Sequence, residues 1–337
     1  MKKLAMILLG LSTFGAAAHS EHNDTVNIYS FRQSFLIDPI LEKFTQETGI
    51  KTKVVFAKKG LVERLKREGK FSPADVVLTY NFSKLLPLQE EGLTQAFQSD
   101  EIDAKIPAQY RDEQGHWVAL TKRVRNIYAS KQKVTHPETL TYEQLADAEF
   151  KGKVCTRSGK HPYNLGLIAS MIAHKGETET LNWLKGVKAN LARKPQGNDR
   201  AQVKAIKEGL CDVSLGNSYY FGKMLTDDEQ RPWAEAVHIV YPNQADRGSH
   251  INVSGAVIAK FAPNKDNAKR LIAFLASEKA QLAYAAVNME YPVNPKVPPS
   301  ELVASWGTFK EDALPLTQVA KYRSAALKLV DTVKFDL

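Results

Sequence analysis

The chain is poor in cysteine, with only Cys155 and Cys211 among its 337 residues. No CxxC and no clustered Cys/His spacing occurs, which disfavours a structural zinc site. Long apolar runs are scarce as well. After the first eighteen residues no segment reaches the ~20 apolar residues that a membrane-spanning helix needs. The short signatures of catalysis are missing: there is no G-x-S-x-G, H-E-x-x-H, G-x-x-x-x-G-K-[ST] or G-x-G-x-x-G. Many catalytic sites leave no local motif, so this lowers the standing of an enzyme without removing it. Nor is there a block of one charge. The formal net charge is +9, two of it from Lys2 and Lys3, and the remaining cations are dispersed among acids, as in 58-KKGLVERLKREGK-70. That is the pattern of a solvated helix face, so no nucleic-acid partner is expected.

What is present begins with MKKLAMILLGLSTFGAAAHS, two lysines before a short apolar run that ends in Ala16, Ala17 and Ala18. This reads as a cleavable signal peptide over residues 1–18. No cysteine stands at or immediately after the cleavage position, which argues against a lipid anchor there, and the expected address is a Gram-negative periplasm. An even cysteine count in an exported chain favours one disulfide, Cys155–Cys211; the alternative is two buried free thiols. The roughly 319 residues that follow suffice for two domains.

Strand and helix patterns then alternate. VNIYSF (26–31) is a β-branched alternating strand, and 36–49 carries Ile37, Ile40, Leu41 and Phe44 at helical spacing before a terminal Gly49. KTKVVFA reads as a strand, LVERLKREG as a helix and ADVVLTY (74–80) as a strand. The alternation restarts with GKVCTRS (152–158), NLGLIASMIAHKG, LNWLKGVKANL, AQVKAIKEGL and CDVSLGN. Two long apolar segments, 117–132 and 251–261, read as strands that cross between the two units. A single helix is predicted over 265–285 and a helical tail over 314–332. The fold class is therefore α/β: two lobes of mixed sheet flanked by helices, joined by two β-strand crossings near 121–131 and 251–261. The first lobe takes 19–122 and 251–300; the second takes 123–250 and 301–337. That organisation resembles the type II arrangement of periplasmic solute-binding proteins, which implies a ligand in the cleft.

The stretch 216-GNSYYFGKML-225 sets Tyr219 and Tyr220 side by side. A phenol has a pKa near 10 and is neutral at pH 7, but a hard, highly charged cation favours the phenolate. Gly216 and Asn217 are read as permitting a sharp turn after the strand, so that both phenols reach one cleft. Tyr163 follows Cys155 by eight residues, as Tyr219 follows Cys211. If the cysteines are bonded, the following loops are neighbours and three phenols come within reach of one point. Such a site suits Fe(III). Packing is the competing explanation of a tyrosine pair. Tyr80 and Tyr29 end strands and are read as rim or packing residues, His161 as a surface histidine, and Asn198, Asp199 and Arg200 as a capped helix start.

NSYYFGKML is similar to a signature of the periplasmic ferric-ion-binding proteins, the substrate-binding subunits of iron ABC transporters. The resemblance extends through VNIYSFRQ, FTQETGIK, SPADVVLTY, LTKRVRNIYASK, YNLGLIASMIA, GNDRAQVKAIKEGLCDVSLGNSYY and GSHINVSGAVIAKFAPNK, nearly the whole chain. It implies a two-lobe binding protein and no catalysis. Tyr219 and Tyr220 are the implied iron ligands, with Tyr163 the third in the three-tyrosine branch. A carbonate-like synergistic anion (carbonate or bicarbonate) is implied on Arg123, with Arg125 the alternative; guanidinium matches a planar oxyanion bidentately. Lys223 stands where relatives often have arginine. The implied partner is an inner-membrane ABC permease, the cargo a ferric ion or chelate, and the protein a monomer. The sequence departs from the family at Gln33 and Ser34, where relatives carry His-Tyr donors, and at 57-AKKGL-61, which lacks a carboxylate. A binding protein for another small anion or organic ligand is the alternative on the same fold.

Overall fold

A computed structural model describes residues 24–337; the expected signal peptide lies outside the described residues. Ten strands are built from the apolar segments: β1 Thr25–Ser30, β2 Lys51–Phe56, β3 Val76–Thr79, β4 Thr94–Gln95, β5 Val118–Ser130, β6 Val154–Cys155, β7 Val213–Asn217, β8 Val237–Val240, β9 Ile251–Ala259 and β10 Tyr291–Pro292. Their main path runs β2-β1-β3-β9-β5-β7-β6. β1 pairs in parallel with β2 and β3, and β6 with β7, whereas β9 lies antiparallel to β3 and β5. The sheet is thus mixed, with helices packed on its faces.

β5 links two regions. Its first half, Val118–Val124, pairs with β9, and its second half, Arg125–Ser130, pairs with β7 and β8. The chain returns at His250, whose carbonyl accepts from the Arg125 N–H at 2.9 Å. From Ile251 onward β9 lies wholly on the first side. One apolar core gathers Ile28, Phe44, Val77, Leu85, Val257 and Leu271. A second gathers Ile127, Ile168, Leu184, Val213 and Val330, and a third, smaller one surrounds Tyr128 and Cys155. No helix among the described residues is long and apolar enough to cross a membrane.

Local chemistry places most boundaries. The helix Asp38–Thr48 ends at Gly49, whose φ of 74° is the left-handed cap that glycine adopts without strain. Three details differ from the sequence reading. The helix expected over 265–285 is two, Lys265–Leu275 and Glu278–Asn288, because the Ser277 side chain accepts from the Ala280 N–H and starts a new helix. The strand expected over 152–158 holds only Val154 and Cys155. Gly216 makes no turn: it lies inside β7, and a Cβ there would stand 2.2 Å from Tyr128 Cε2. The glycine is there for close packing rather than for a bend.

Candidate metal site

Two parallel strands carry the site. β6 and β7 pair through Val154–Val213 and Cys155–Ser214, and a disulfide joins Cys155 to Cys211 with their Cα atoms 5.9 Å apart. After β6 the chain turns into the helix Pro162–Lys175. Pro162 occupies a first-turn position where its missing N–H costs nothing, and His161 Nδ1 accepts from the Tyr163 N–H at 3.2 Å. After β7 the chain enters the helix Tyr219–Leu225 directly. Tyr163 and Tyr219 therefore both sit on the opening turn of a helix, above neighbouring strand ends.

The phenols meet. Tyr163 and Tyr219 share a hydrogen bond with their oxygens 3.1 Å apart, and the Tyr219 and Tyr220 rings lie 4.2 Å apart, tilted by 34°. Burial first, then the neighbouring phenols Tyr163 and Tyr220, push Tyr219 well above its ordinary pKa. Burial likewise raises Tyr163. With no cation present both stay protonated; a strongly charged ion beside the oxygens reverses that preference. Among the described residues no three His, Cys, Asp or Glu side chains are grouped to hold a metal. The phenols are the donor oxygens that are grouped here.

Tyr163 and Tyr219 line a cavity of about 380 Å³ together with Tyr80, Arg123, Lys223 and Glu290; its other wall carries Phe31, Gln33, Phe56, Lys58 and Lys59. Tyr220 is not among the lining residues. Arg123 is 1% exposed; its Nη1 lies 3.4 Å from Glu290, while Nε and Nη2 have no hydrogen-bond partner in the protein. Buried donors left unpaired are costly, and an oxyanion would satisfy them. Lys223 also faces the cavity, with burial pulling its pKa down. Arg32, paired with Glu290 at 3.2 Å, adds further positive charge.

Arg125 does not line the cavity. Its Nη1 donates to Asp199 Oδ2 at 2.7 Å and to Asn217 Oδ1 at 3.1 Å, and its Nη2 donates to Asn164 Oδ1 at 2.6 Å. Asp199, fully buried, also accepts from the Asn217 N–H at 3.0 Å and from Arg157 at 3.2 Å. Arg125 is thus held by the residue after Tyr163 and the one two before Tyr219, so it braces the phenol-bearing segments instead of facing an anion. Asn198, not Asp199, caps the helix Asp199–Lys207. His161 is half-buried rather than fully exposed: its ring packs edge-on to Tyr163 at 4.6 Å, and burial followed by Arg157 and Arg125 lowers its pKa to about 3. Ser34 lies outside the cavity, and Tyr29 donates to Glu68. Sequence reasoning passed over Arg32, Glu290, Lys58, Lys59 and Arg157. The available signal was charge in or beside apolar strand segments, as at 31-FRQ-33 and 289-MEYP-292.

Residues 55–307 match the family described as bacterial extracellular solute-binding protein. The chain belongs to that family. Its members are binding proteins rather than enzymes. This solute-binding protein is 42% identical to Iron uptake protein A1 of Synechocystis, over 91% of the chain and 86% of the relative. It superposes on Ferric iron-Binding Protein A of Mannheimia haemolytica, solved in an open conformation, with a TM-score of 0.89 and 54% identity, covering 93% and 99% of the two chains. The Trichodesmium protein IdiA (FutA), solved with iron and citrate ligands, gives a TM-score of 0.88 at 38% identity, over 92% and 99% of the chains. The α/β architecture is that of the type II periplasmic binding proteins.

Proposed function

We propose that this protein binds Fe(III) in the cleft through the tyrosinate oxygens of Tyr163, Tyr219 and Tyr220, with a carbonate-like anion on Arg123 and Lys223. In this reading it is exported to the periplasm and hands the ion to an inner-membrane ABC permease. The observation that carries the reading is the Tyr163–Tyr219 oxygen pair at 3.1 Å in a cavity walled by cations. A small trivalent ion prefers anionic oxygen and can take the place of the phenol protons, which pass to solvent. The names of the relatives, iron uptake protein and ferric iron-binding protein, support the same cargo. The unpaired Arg123 donors support the anion.

The test is a visible spectrum of the iron-free protein titrated with ferric citrate, with and without bicarbonate. A phenolate-to-Fe(III) charge-transfer band saturating at one iron per chain is expected, weakened in Tyr163→Phe and Tyr219→Phe. In Arg123→Gln the bicarbonate dependence should vanish. A folded protein that develops no colour would replace the iron reading with the binding of an organic or inorganic anion, which the cationic cleft also suits.

A further inference from the structure

Strand β3 is buried at every position from Val76 to Thr79, and Thr79 is fixed against Gly255 of β9. The chain leaves the sheet at Tyr80. Asn81 then caps the next helix, its Oδ1 accepting from the Ser83 N–H at 2.8 Å, and the Phe82 N–H donates to Asn252 at 3.0 Å. Tyr80 is therefore mounted between two anchored segments on the side of the cleft opposite the tyrosine pair. Its ring is half-buried and lines the cavity shared with Tyr163, Tyr219 and Arg123.

A tyrosine that serves packing usually finds a partner for its hydroxyl. Tyr29 does so on Glu68, and Tyr128 on the Asn217 carbonyl. Tyr80 makes no hydrogen bond to the protein, and its oxygen is left to the cavity. Burial and then the nearby Tyr163 phenol raise its pKa, while Arg123, Arg157 and Arg32 pull it the other way. The phenol thus shares one cavity with Tyr163, Tyr219 and the guanidinium groups of Arg32 and Arg123. The rest of that wall offers apolar, amide, ammonium and guanidinium groups, and its carboxylate, Glu290, is already engaged by Arg32, Arg123 and Thr121.

We propose that Tyr80 is the iron ligand supplied by the wall opposite Tyr163 and Tyr219, joining the coordination shell as the cleft narrows. The inference rests on the iron reading above. Coordination exchanges the Tyr80 O–H bond for an O–Fe bond, and the proton passes to solvent. It gives the facing wall an anionic oxygen that is not held in an ion pair, at a position away from Gln33 and Ser34.

The experiment loads wild type, Tyr80→Phe and the control Tyr29→Phe with ferric citrate in weakly buffered bicarbonate, recording protons released per iron and the charge-transfer absorbance. Tyr80→Phe should release one proton fewer and lose about a quarter of the absorbance, one phenolate among four. Competition with citrate should show iron held about tenfold to a hundredfold less tightly. Tyr29→Phe should match the wild type. Proton count, absorbance and retention all equal to wild type in Tyr80→Phe would overturn the inference while leaving the three-tyrosine site standing. A colourless wild type would remove the iron reading and this inference with it.

Discussion

Tyr163 and Tyr219 are separated by 56 positions in the chain, yet their phenol oxygens lie 3.1 Å apart. Cys155 and Cys211 have the same separation, 56. The two pairs rise in step from parallel strands, so the spacing of the phenols is inherited from the spacing of the cystine. Each substitution below probes one part of that arrangement.

Tyr219→Phe removes a hydroxyl whose protein partner is another hydroxyl. The iron-free protein should lose no more than about 1 kcal/mol of stability, the net worth of an ordinary hydrogen bond. Iron retention should fall by about a hundredfold or more, since even groups behind a metal ligand are worth about 10–100-fold. Urea denaturation of the iron-free protein and citrate competition of the loaded protein measure the two effects separately. Equal losses in both would indicate a packing role.

Reducing the disulfide, or Cys155→Ser with Cys211→Ser, should destabilise the protein by up to about 4 kcal/mol, the chain-entropy ceiling for a loop of this length. Retention of iron should fall in parallel, because the phenol-bearing segments lose their tie. Denaturation curves with and without reductant check the first part, and the charge-transfer band under reductant checks the second.

Asp199→Asn leaves Arg125 and Arg157 without their shared carboxylate. Breaking a buried pair in this way costs about 3–5 kcal/mol. A drop in melting temperature is expected even with no iron present, because Arg125, Asn164 and Asn217 form one network. An unchanged melting temperature would show that the network is dispensable.

Gly216→Ala should cost about 1–3 kcal/mol, since the added methyl meets the Tyr128 ring at 2.2 Å and the ring must shift. Tyr128 donates to the Asn217 carbonyl at 2.8 Å, so the displacement passes toward Tyr219. A shifted charge-transfer maximum alongside the lost stability is the expected signature.

His250 predicts acid sensitivity. It is 4% exposed, its backbone N–H donates to the Tyr142 hydroxyl, and burial lowers its pKa to about 4 from the ordinary 6.5, with Asp312 raising it and Arg125, Arg247 and His174 lowering it. The unfolded chain takes up a proton below pH 6.5 that the folded chain refuses until about pH 4. Stability is therefore intact above 6.5 and falls with pH across that window, by up to about 3 kcal/mol. Urea midpoints at pH 7.5 and pH 5 should differ by less in His250→Gln than in wild type.

Much of this fold was legible because its strands and helices obey simple periods. β1, β2 and β3 announced themselves by β-branched residues, and the helix Asp38–Thr48 by its spacing and its terminal glycine. The helix break at Ser277 was not legible, because apolar and helix-forming residues run through it and only the side chain's choice of the Ala280 N–H decides the matter. Arg123 and Arg125 could not be told apart either. They are two apart on one strand and share a face. What separates them is the path of β5, which leaves Arg123 beside Glu290 and carries Arg125 to Asp199, a carboxylate far along the chain. That the Tyr80 hydroxyl lacks a protein partner was not legible either, because strand pattern says where a side chain starts, not what its hydroxyl meets.

The cystine and the Arg125 network fasten Tyr163 and the Tyr219–Tyr220 pair to the same body of the protein. In the proposed function, parting the jaws of the cleft would therefore not pull these phenols away from one another. In the proposed function, the cargo stays seated on one jaw while the other swings away. Opening and unloading become separate events, one mechanical and one chemical, and a transporter that merely pries the protein apart would still need something to loosen its grip.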